Sequence, residues 1–206
     1  MQILKINPDN PQGRLINKVV EALNRGEVIA YPTDTVYGIG CDLFNKNAIE
    51  KVYQIKGKQR NKPLSFICSD LSDISQYAYV QDYAYKIMKR LLPGPYTFVL
   101  QATKLVPKIV QTKQKTVGIR VPDNKICLEI VKTLGHPIIN TSITHNEDQL
   151  FDDPELIKET YGHQLAYIID GGVIAAEHSS VIDLTGDAPV VLRKGKGDIS
   201  MFEEEE

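Results

Sequence analysis

Apolar residues recur along the chain with the periods of helices and strands. Leu15, Val19 and Leu23 stand at helical spacing, with Asn10-Pro11 before them as a predicted cap and first helical residue and Gly26 as the end. Short runs of β-branched and aromatic residues between turn formers indicate strands. Further helices are predicted over 45–56, 126–134 and 154–161, and Asp82 is the predicted cap of a helix that carries Ala84, Ile87, Met88 and Leu91. Strands are predicted over 27–31, 64–68, 96–102, 116–121, 137–140, 166–170, 180–184 and 190–193.

Helices and strands are interleaved along the whole chain, which is the pattern of an α/β protein with helices packed on a sheet. Several connections between strands are too short for a crossover helix, so the sheet is expected to be mixed rather than purely parallel. No shift in composition marks a linker between two domains. We therefore predict a single α/β domain over 1–200, followed by an acidic, disordered tail over 201–206.

Composition and charge narrow the class of protein. The 206 residues include 24 Lys and Arg against 26 Asp and Glu, a net charge of -2, which argues against a protein that coats nucleic acid. The last four residues are all acidic, so the rest of the chain is slightly basic. Three distant cysteines fit a reducing cytoplasm without disulfides. No apolar run reaches membrane-spanning length, so we expect a cytoplasmic protein without a membrane partner.

Four cations stand at every second position in one polar segment. They are Lys56, Lys58, Arg60 and Lys62. An extended chain points alternate side chains to one side, so these residues would form one cationic edge that suits an anion such as a phosphate. The alternative interpretation is a solvated, charged loop, and the spacing alone leaves both open.

Other polar residues suited to anions stand at predicted strand ends. Thr33 follows the first strand, Ser142 follows the strand 137–140, Ser179 precedes the strand 180–184, and Arg120 and Arg193 end their strands. Ligands of open α/β sheets gather at such ends, and cations with hydroxyls suit a ligand that has phosphates and a carboxylate. The sequence contains no complete dinucleotide-binding motif and no histidine or cysteine spacing for a metal, so we predict no protein-held metal.

Six distinctive blocks follow one another along nearly the whole chain. They are 32–38 (PTDTVYG), 56–58 (KGK) ahead of Pro63-Leu64, 93–100 (PGPYTFVL), 117–122 (VGIRVP), 179–183 (SSVID) and 192–195 (LRKG). In this order they resemble the YrdC/YciO family, and the start Asn7-Pro8-Asp9-Asn10-Pro11 is most similar to its YciO branch. The resemblance implies a twisted, open α/β sheet with a concave, positively lined cavity.

The resemblance also implies an enzyme, L-threonylcarbamoyladenylate synthase. Members of the family make threonylcarbamoyl-AMP and pyrophosphate from L-threonine, bicarbonate and ATP, for the t6A modification of tRNA. By position, the residues facing ATP would be Lys56, Lys58, Thr116, Ser142 and Arg193. Those facing L-threonine would be Thr33, Arg120 and Ser179, with Arg120 holding the carboxylate in a two-pronged contact. Mg²⁺ would arrive with the triphosphate.

Three positions depart from the active branch of the family. Lys58 replaces an arginine, Thr144 an asparagine, and Ile67 a histidine that many members have. Lysine cannot make the forked contact of arginine. One alternative is therefore a YciO-type nucleotide- or double-stranded-RNA-binding protein without the synthase activity, in which Arg60 and Lys62 would extend a phosphate-binding edge. Another is adenylyl or carbamoyl transfer to a different small molecule.

Overall fold

The chain folds around one large sheet, seen in a computed structural model that describes residues 2–57, 63–142 and 150–203. Within these residues the helices are α1 (Gly13–Asn24), α2 (Lys46–Lys56), α3 (Leu71–Tyr77), α4 (Asp82–Leu91), α5 (Lys125–Leu134) and α6 (Pro154–Tyr161). The strands are β1 (Gln2–Lys5), β2 (Ile29–Tyr31), β3 (Gly38–Asp42), β4 (Ser65–Ile67), β5 (Ala78–Tyr79), β6 (Tyr96–Ala102), β7 (Thr116–Arg120), β8 (Ile138–Ser142), β9 (Tyr167–Asp170), β10 (Ser180–Asp183) and β11 (Val190–Arg193).

The sheet is mixed, which confirms the prediction made from the short connections. Its order is β1-β9-β2-β3-β8-β4-β7-β6-β10-β11, and β5 pairs with β6 outside this path. The pairs β1/β9, β9/β2, β4/β7 and β6/β10 are parallel. The remaining pairs are antiparallel. Strands that are distant in sequence therefore lie side by side, and residues from several of them meet on one face.

Helices cover one face of the sheet more completely than the other. α2, α3, α4 and α6 bury apolar side chains in a larger core with Phe66, Phe98 and Ile119 of the sheet. α1 and α5 bury theirs in a second core with Ile29 and Ile138 on the opposite face. Burial of these apolar stripes is the main force that holds the helices in place. The part of the second face that α1 and α5 leave uncovered is polar.

Three helix ends close to the predicted bounds carry capping residues. The Asn45 side chain accepts a hydrogen bond from the Ala48 amide at 3.0 Å and starts α2. Gly57, with a φ of 53°, ends the same helix. Gly135, with a φ of 85°, ends α5 in the left-handed conformation that glycine adopts without strain.

Two predicted helix starts are wrong. α1 begins at Gly13 rather than after Asn10, because the Asn7 side chain accepts hydrogen bonds from the Asp9 and Asn10 amides and forms a turn. Asp82 is the first residue of α4, whose cap position is Gln81. Its negative charge in the first turn still interacts favourably with the positive end of the helix dipole.

Four elements were not predicted from the sequence: β1, β3, α3 and β5. The segment Gly38-Ile39-Gly40 lies in β3, although glycine is unfavourable inside strands. At the C-terminus, Ser200–Phe202 form a 3-10 turn and Phe202 packs against the larger core, so regular structure extends past residue 200 into the predicted tail. Residues 204–206 lie outside the described residues. No helix in the described part of the chain is long and apolar enough to cross a membrane.

Candidate functional site

The uncovered part of the sheet presents polar side chains from neighbouring strands. On β7, Thr116, Gly118 and Arg120 share this face, because side chains alternate between the two faces of a strand. Gly118 is in register with Ser65 on β4. A Cβ added at Gly118 would lie 3.1 Å from Thr97 Cγ2 and 3.5 Å from Ser65 Cβ, so these residues share the face. We call this surface the polar face; it includes Ser65, Thr97, Thr116, Arg120, Asn140 and Ser142.

A tight turn of hydroxyl groups follows β2 and borders the polar face. Thr33 Oγ1 accepts hydrogen bonds from the Thr35 and Val36 amides at 3.1 and 3.2 Å and donates to the Val36 carbonyl at 2.6 Å. The hydroxyls of Thr33 and Thr35 lie 3.0 Å apart, and both are buried. Such side chain–backbone bonds hold a turn in one conformation, so Asp34 between them is also fixed.

Arg120, at the end of β7, is a buried cation. Its Nη2 donates to Asp34 Oδ1 and to Thr35 Oγ1, both at 2.8 Å. The side chains of Arg120 and Asp34 are only 3% and 9% exposed, and Asp34 Oδ2 accepts from the Asp123 amide at 3.0 Å. Among the described residues, Arg120 Nε is buried without a hydrogen-bond partner. A buried N–H without an acceptor is costly, so this edge of Arg120 suits an anionic ligand.

A bulge in β11 directs Arg193 to the polar face. Arg193 lies opposite Val181, whereas Val191 lies opposite Ile182, so Leu192 is an extra residue on β11. Without the bulge, Arg193 would share the face of Val191, two residues before it. A bulge changes this alternation and redirects the following side chain.

The guanidinium of Arg193 binds Ser179. Its Nε and Nη2 donate to the Ser179 carbonyl at 3.0 and 2.9 Å, and Nη2 also donates to Ser179 Oγ at 3.2 Å. Ser179 Oγ lies 2.8 Å from Thr97 Oγ1 on β6. Burial, and after it the nearby charge of Arg120, lowers the pKa of Arg193. Of the two guanidinium groups, Arg120 alone pairs with a carboxylate within the described ranges, so the site carries excess positive charge.

The segment 171–179 connects β9 to β10 past the turn that follows β2, and we call it the connecting segment. The Tyr37 hydroxyl donates to the Gly172 carbonyl at 2.7 Å and accepts from the Gly171 amide at 3.3 Å. The Glu177 amide donates to the Thr35 carbonyl at 3.2 Å. These bonds anchor the segment along its length and place Ser179 beside the polar face.

A row of buried hydrogen bonds crosses the sheet from β2 to β4. Tyr31 Oη donates to Asn140 Oδ1 at 2.8 Å, and Asn140 Nδ2 donates to Ser65 Oγ at 3.0 Å. Tyr31 passes over β3 because Gly38 and Gly40 have no side chains. An added Cβ would lie 2.4 Å from Asn140 Oδ1 at Gly38 and 2.9 Å from the Tyr31 ring at Gly40. Burial raises the pKa of Tyr31 well above its ordinary value, so its phenol remains a donor.

The structure brings together four of the residues predicted from the sequence, namely Thr33, Arg120, Ser179 and Arg193. Thr116 lies farther along β7, four residues and about 13 Å from Arg120. Its hydroxyl is 2.7 Å from that of Thr112. Ser142 ends β8 opposite Gly38. Thr116 therefore lies apart from Arg120 along β7, and Ser142 lies beside the start of β3.

The predicted cationic edge lies mostly beyond what the structure describes. Lys56 is the last residue of α2 and is half-buried. Lys58, Arg60, Lys62 and Thr144 lie outside the described residues, so their roles stay predictions. Ile67, at the position of the family's histidine, is fully buried in the second core.

Four residues of the site were not predicted from the sequence: Asp34, Ser65, Thr97 and Asn140. Alternation along β6 and β8 would have placed Thr97 and Asn140 on the same face as Arg120 once the strand pairing was known. No local signal identifies Asp34 as the partner of Arg120, because 86 residues separate them.

The described residues offer no protein-held metal centre, since they contain no group of three or more His, Cys, Asp and Glu side chains that could hold an ion. Two surface recesses of about 610 and 260 Å³ lie away from the polar face, beside α1 and beside the start of α2. The positively lined cavity stays a prediction, because the residues that follow Ser142 lie outside the described ranges.

The residues of the site lie in a part of the chain that matches a known protein family. The model of the Sua5/YciO/YrdC family, whose description reads "Telomere recombination", matches residues 21–195. The match includes the Thr33 turn, Arg120, Ser179 and Arg193. The chain belongs to the Sua5/YciO/YrdC family. The resemblance found in the sequence blocks is thereby confirmed.

Members of the Sua5/YciO/YrdC family are similar over most of the chain. Escherichia coli YciO, named an uncharacterized protein, is 43% identical over 203 residues, 98% of each chain. Its crystal structure has a TM-score of 0.94 at 42% identity and covers 98% of this chain and 99% of that one. A putative threonylcarbamoyl-AMP synthase of Methanocaldococcus jannaschii is 36% identical over 201 residues, 94% of this chain and 93% of the relative. The crystal structure of P. abyssi Sua5 complexed with L-threonine has a TM-score of 0.88 at 28% identity and covers 95% of this chain and 58% of that one.

Proposed function

We propose that this protein is an L-threonylcarbamoyladenylate synthase, which converts L-threonine, bicarbonate and ATP to threonylcarbamoyl-AMP, pyrophosphate and water. The product would serve the t6A modification of tRNA. The observation that carries the proposal is the buried Arg120, whose Nε has no acceptor among the described residues. An amino-acid carboxylate would supply that acceptor. The L-threonine complex of P. abyssi Sua5 supports this choice of ligand.

L-threonine would bind where Arg120 meets the turn after β2. Asp34 and Thr35 hold Nη2 of Arg120, so the guanidinium is oriented before the substrate arrives. The carboxylate would accept from Nε in a charge-assisted bond. Thr33 would act through the turn that it holds, since its hydroxyl is already bonded within that turn, and the hydroxyl of Ser179 would contact a polar group of the substrate.

The next polar row along the sheet would lie beneath the carbamate. Gly118 is two residues, or about 7 Å, from Arg120 along β7, and it is in register with Ser65, which binds Asn140. A hydrogen bond to a carboxylate oxygen and the four covalent bonds from that oxygen to the carbamate carbon span a similar distance. Asn140 Nδ2 would donate to the carbamate, and the lack of a side chain at Gly118 leaves room for it.

The chemistry requires positioning more than covalent catalysis. The threonine amine attacks CO₂, formed from bicarbonate with loss of water, and loses a proton as the carbamate N–C bond forms. A carbamate oxygen then attacks the α-phosphorus of ATP, and the bond from that phosphorus to the bridging oxygen breaks. Pyrophosphate leaves with the electron pair. Fixed cations and donors such as Arg193, Thr116, Ser142 and Lys56 would orient ATP and offset this charge.

Mg²⁺ would enter with the triphosphate. Proteins usually bind this ion through substrate phosphates and one or two carboxylates.

A second candidate is a nucleotide- or double-stranded-RNA-binding protein without synthase activity, and two departures from the active branch of the family support it. Ile67 has no polar group where many members have a histidine, and Lys58 replaces an arginine. RNA binding would use the cationic edge with Arg60 and Lys62, and its affinity would fall steeply with salt.

A pyrophosphate-release assay tests the proposal. The protein is supplied with ATP, Mg²⁺ and bicarbonate, with and without L-threonine, and the product is identified by mass spectrometry. We expect threonine-dependent release of pyrophosphate together with threonylcarbamoyl-AMP. Arg120→Lys should raise the KM for threonine by about 10- to 100-fold, since lysine lacks the Nε–H that would bind the carboxylate. Lys125→Met, at an exposed lysine, is the matched control and should leave it unchanged.

Two results would contradict the proposal. One is no threonine-dependent release by a folded protein that still binds ATP or duplex RNA, which would support the second candidate. The other is an Arg120→Lys variant with an unchanged KM for threonine, which would mean that Arg120 does not bind the threonine carboxylate.

A further inference from the structure

The segment 194–198 after β11 is fixed beside Ser179 at the polar face, and we call it the C-terminal arm. Ser180 Oγ donates to the Gly197 carbonyl at 2.6 Å and accepts from the Gly195 amide at 3.0 Å. The Lys196 amide donates to the His178 carbonyl at 2.8 Å. A Cβ at Gly195 would lie 2.3 Å from that carbonyl oxygen. The backbone of the arm is therefore held in a close contact that only glycine permits.

The two lysines of the arm reach different parts of the protein. Lys196 Nζ donates to the Asp34 carbonyl at 2.5 Å and so connects the arm to the turn after β2. Lys194, whose side chain is 74% exposed, lies 3.9 Å from Glu203 Oε1. Lys196 thus borders the site, and Lys194 faces the chain end.

The charge of Lys196 is not neutralised in this arrangement. Its acceptor is a neutral carbonyl, and no carboxylate lies within 4 Å of it in the residues that the structure describes. Lys196 is exposed, so the bond to the carbonyl contributes little and is easily exchanged. Together with Arg120 and Arg193 it gives the site three cations, of which Arg120 alone pairs with a carboxylate among the described residues.

We propose that Lys196 is a nucleotide-binding residue, whose ammonium group exchanges the Asp34 carbonyl for a phosphate oxygen of bound ATP. The proposal rests on the proposed function and adds a residue to its nucleotide site. Threonine is a poor candidate for this contact, because Arg120 already matches its one carboxylate and its ammonium would repel Lys196. A triphosphate has several negative charges, and a charge-assisted bond replaces a bond to a neutral acceptor.

Equilibrium binding of ATP and of L-threonine, each measured by calorimetry, tests the proposal. Lys196→Met should weaken ATP binding by about 10-fold, the size of one charge-assisted hydrogen bond, and Lys196→Arg should restore most of it. Threonine affinity should stay within about 2-fold of the wild type. Lys194→Met, the matched control on the same arm, should bind both ligands normally. The salt dependence of ATP binding should decrease in Lys196→Met alone.

The outcomes separate a ligand contact from a structural one. If Lys196 only braces the turn after β2, Lys196→Met will lose threonine affinity and thermal stability while its ATP affinity is unchanged, and the inference is overturned with the proposed function intact. Equal losses of ATP affinity in the Lys194 and Lys196 variants would also overturn it, since they indicate a general field effect. A wild-type protein that binds threonine but not ATP would overturn both proposals.

Discussion

The Arg120–Asp34 ion pair allows a quantitative test of how the site is held together. Asp34→Asn keeps the shape of the side chain and one carbonyl oxygen but removes the counter-charge of Arg120. Both side chains are at least nine-tenths buried, so water cannot solvate the remaining guanidinium. Breaking a buried pair by removing one partner costs about 3–5 kcal/mol.

We expect Asp34→Asn to lie near the lower limit, with a loss of about 3 kcal/mol in the free energy of unfolding, because asparagine still offers an acceptor to Arg120 Nη2. For a chain of this length that loss corresponds to a decrease in Tm of roughly 6–12 °C. Urea unfolding followed by circular dichroism measures the free energy, and differential scanning calorimetry measures Tm.

The matched control is the double variant Asp34→Asn/Arg120→Met, which removes both charges. It should be more stable than Asp34→Asn, because no uncompensated charge remains in the interior. The reasoning is refuted if Asp34→Asn unfolds within 1 kcal/mol of the wild type, or if the double variant is as unstable as the sum of the two single variants.

Three further predictions concern the sheet and the buried thiols. Gly40→Ala places a Cβ 2.2 Å from the Ile139 carbonyl oxygen and should lower the free energy of unfolding in urea by about 3 kcal/mol. The control Gly13→Ala has open space around its Cβ and should be neutral or slightly stabilising. Equal effects of the two variants would refute the close approach at Gly40. Asn140→Ala leaves the buried Tyr31 hydroxyl without its acceptor and should cost about 2 kcal/mol in the same assay, and adding Tyr31→Phe should recover part of that loss; no recovery would contradict the bond. Burial raises the pKa of Cys41, Cys68 and Cys127 above 9.0, so above pH 9 the folded state keeps thiol protons that the unfolded state loses. The free energy of unfolding should therefore be unaffected by these thiols below pH 9 and should fall above it by about 1.4 kcal/mol per thiol per pH unit. Unfolding at pH 8 to 10 measures this, and thiol titration should find rapid reaction only after unfolding.

The sequence predicted the parts of the fold that depend on local signals. Asn45 and Gly57 limit α2 as expected, and Pro154 begins α6, because caps and proline act within one turn. β3 was missed because Gly38 and Gly40 oppose strand formation locally. Glycine is required at these positions because Tyr31 and Asn140 approach them from other strands. No local sequence pattern shows this contact.

The site was predicted less fully than the fold. Arg120 and Ser179 were predicted from their places at strand ends and from the family blocks, but the pairing of Arg120 with Asp34 depends on a contact across 86 residues. The position of Arg193 depends on a bulge at Leu192 that alternation does not predict. Lys196 stands in no recognised motif, and its nearness to Asp34 follows from the path of the C-terminal arm.

The position of β9 in the sheet sets when the protein can fold during synthesis. β9 lies between β1 and β2 and pairs with both, yet it ends at Asp170, whereas β2 ends at Tyr31. At roughly 5–20 residues per second, the ribosome needs roughly 7–30 s to make the chain from one point to the other. The edges of β1 and β2 that pair with β9 therefore lack this partner strand for that time. The polar face is completed later still, since Ser179 and Arg193 are made after β9. A nascent chain that ends before β9 lacks the strand that joins its first two, so the ribosome must release nearly the whole protein before the site can exist.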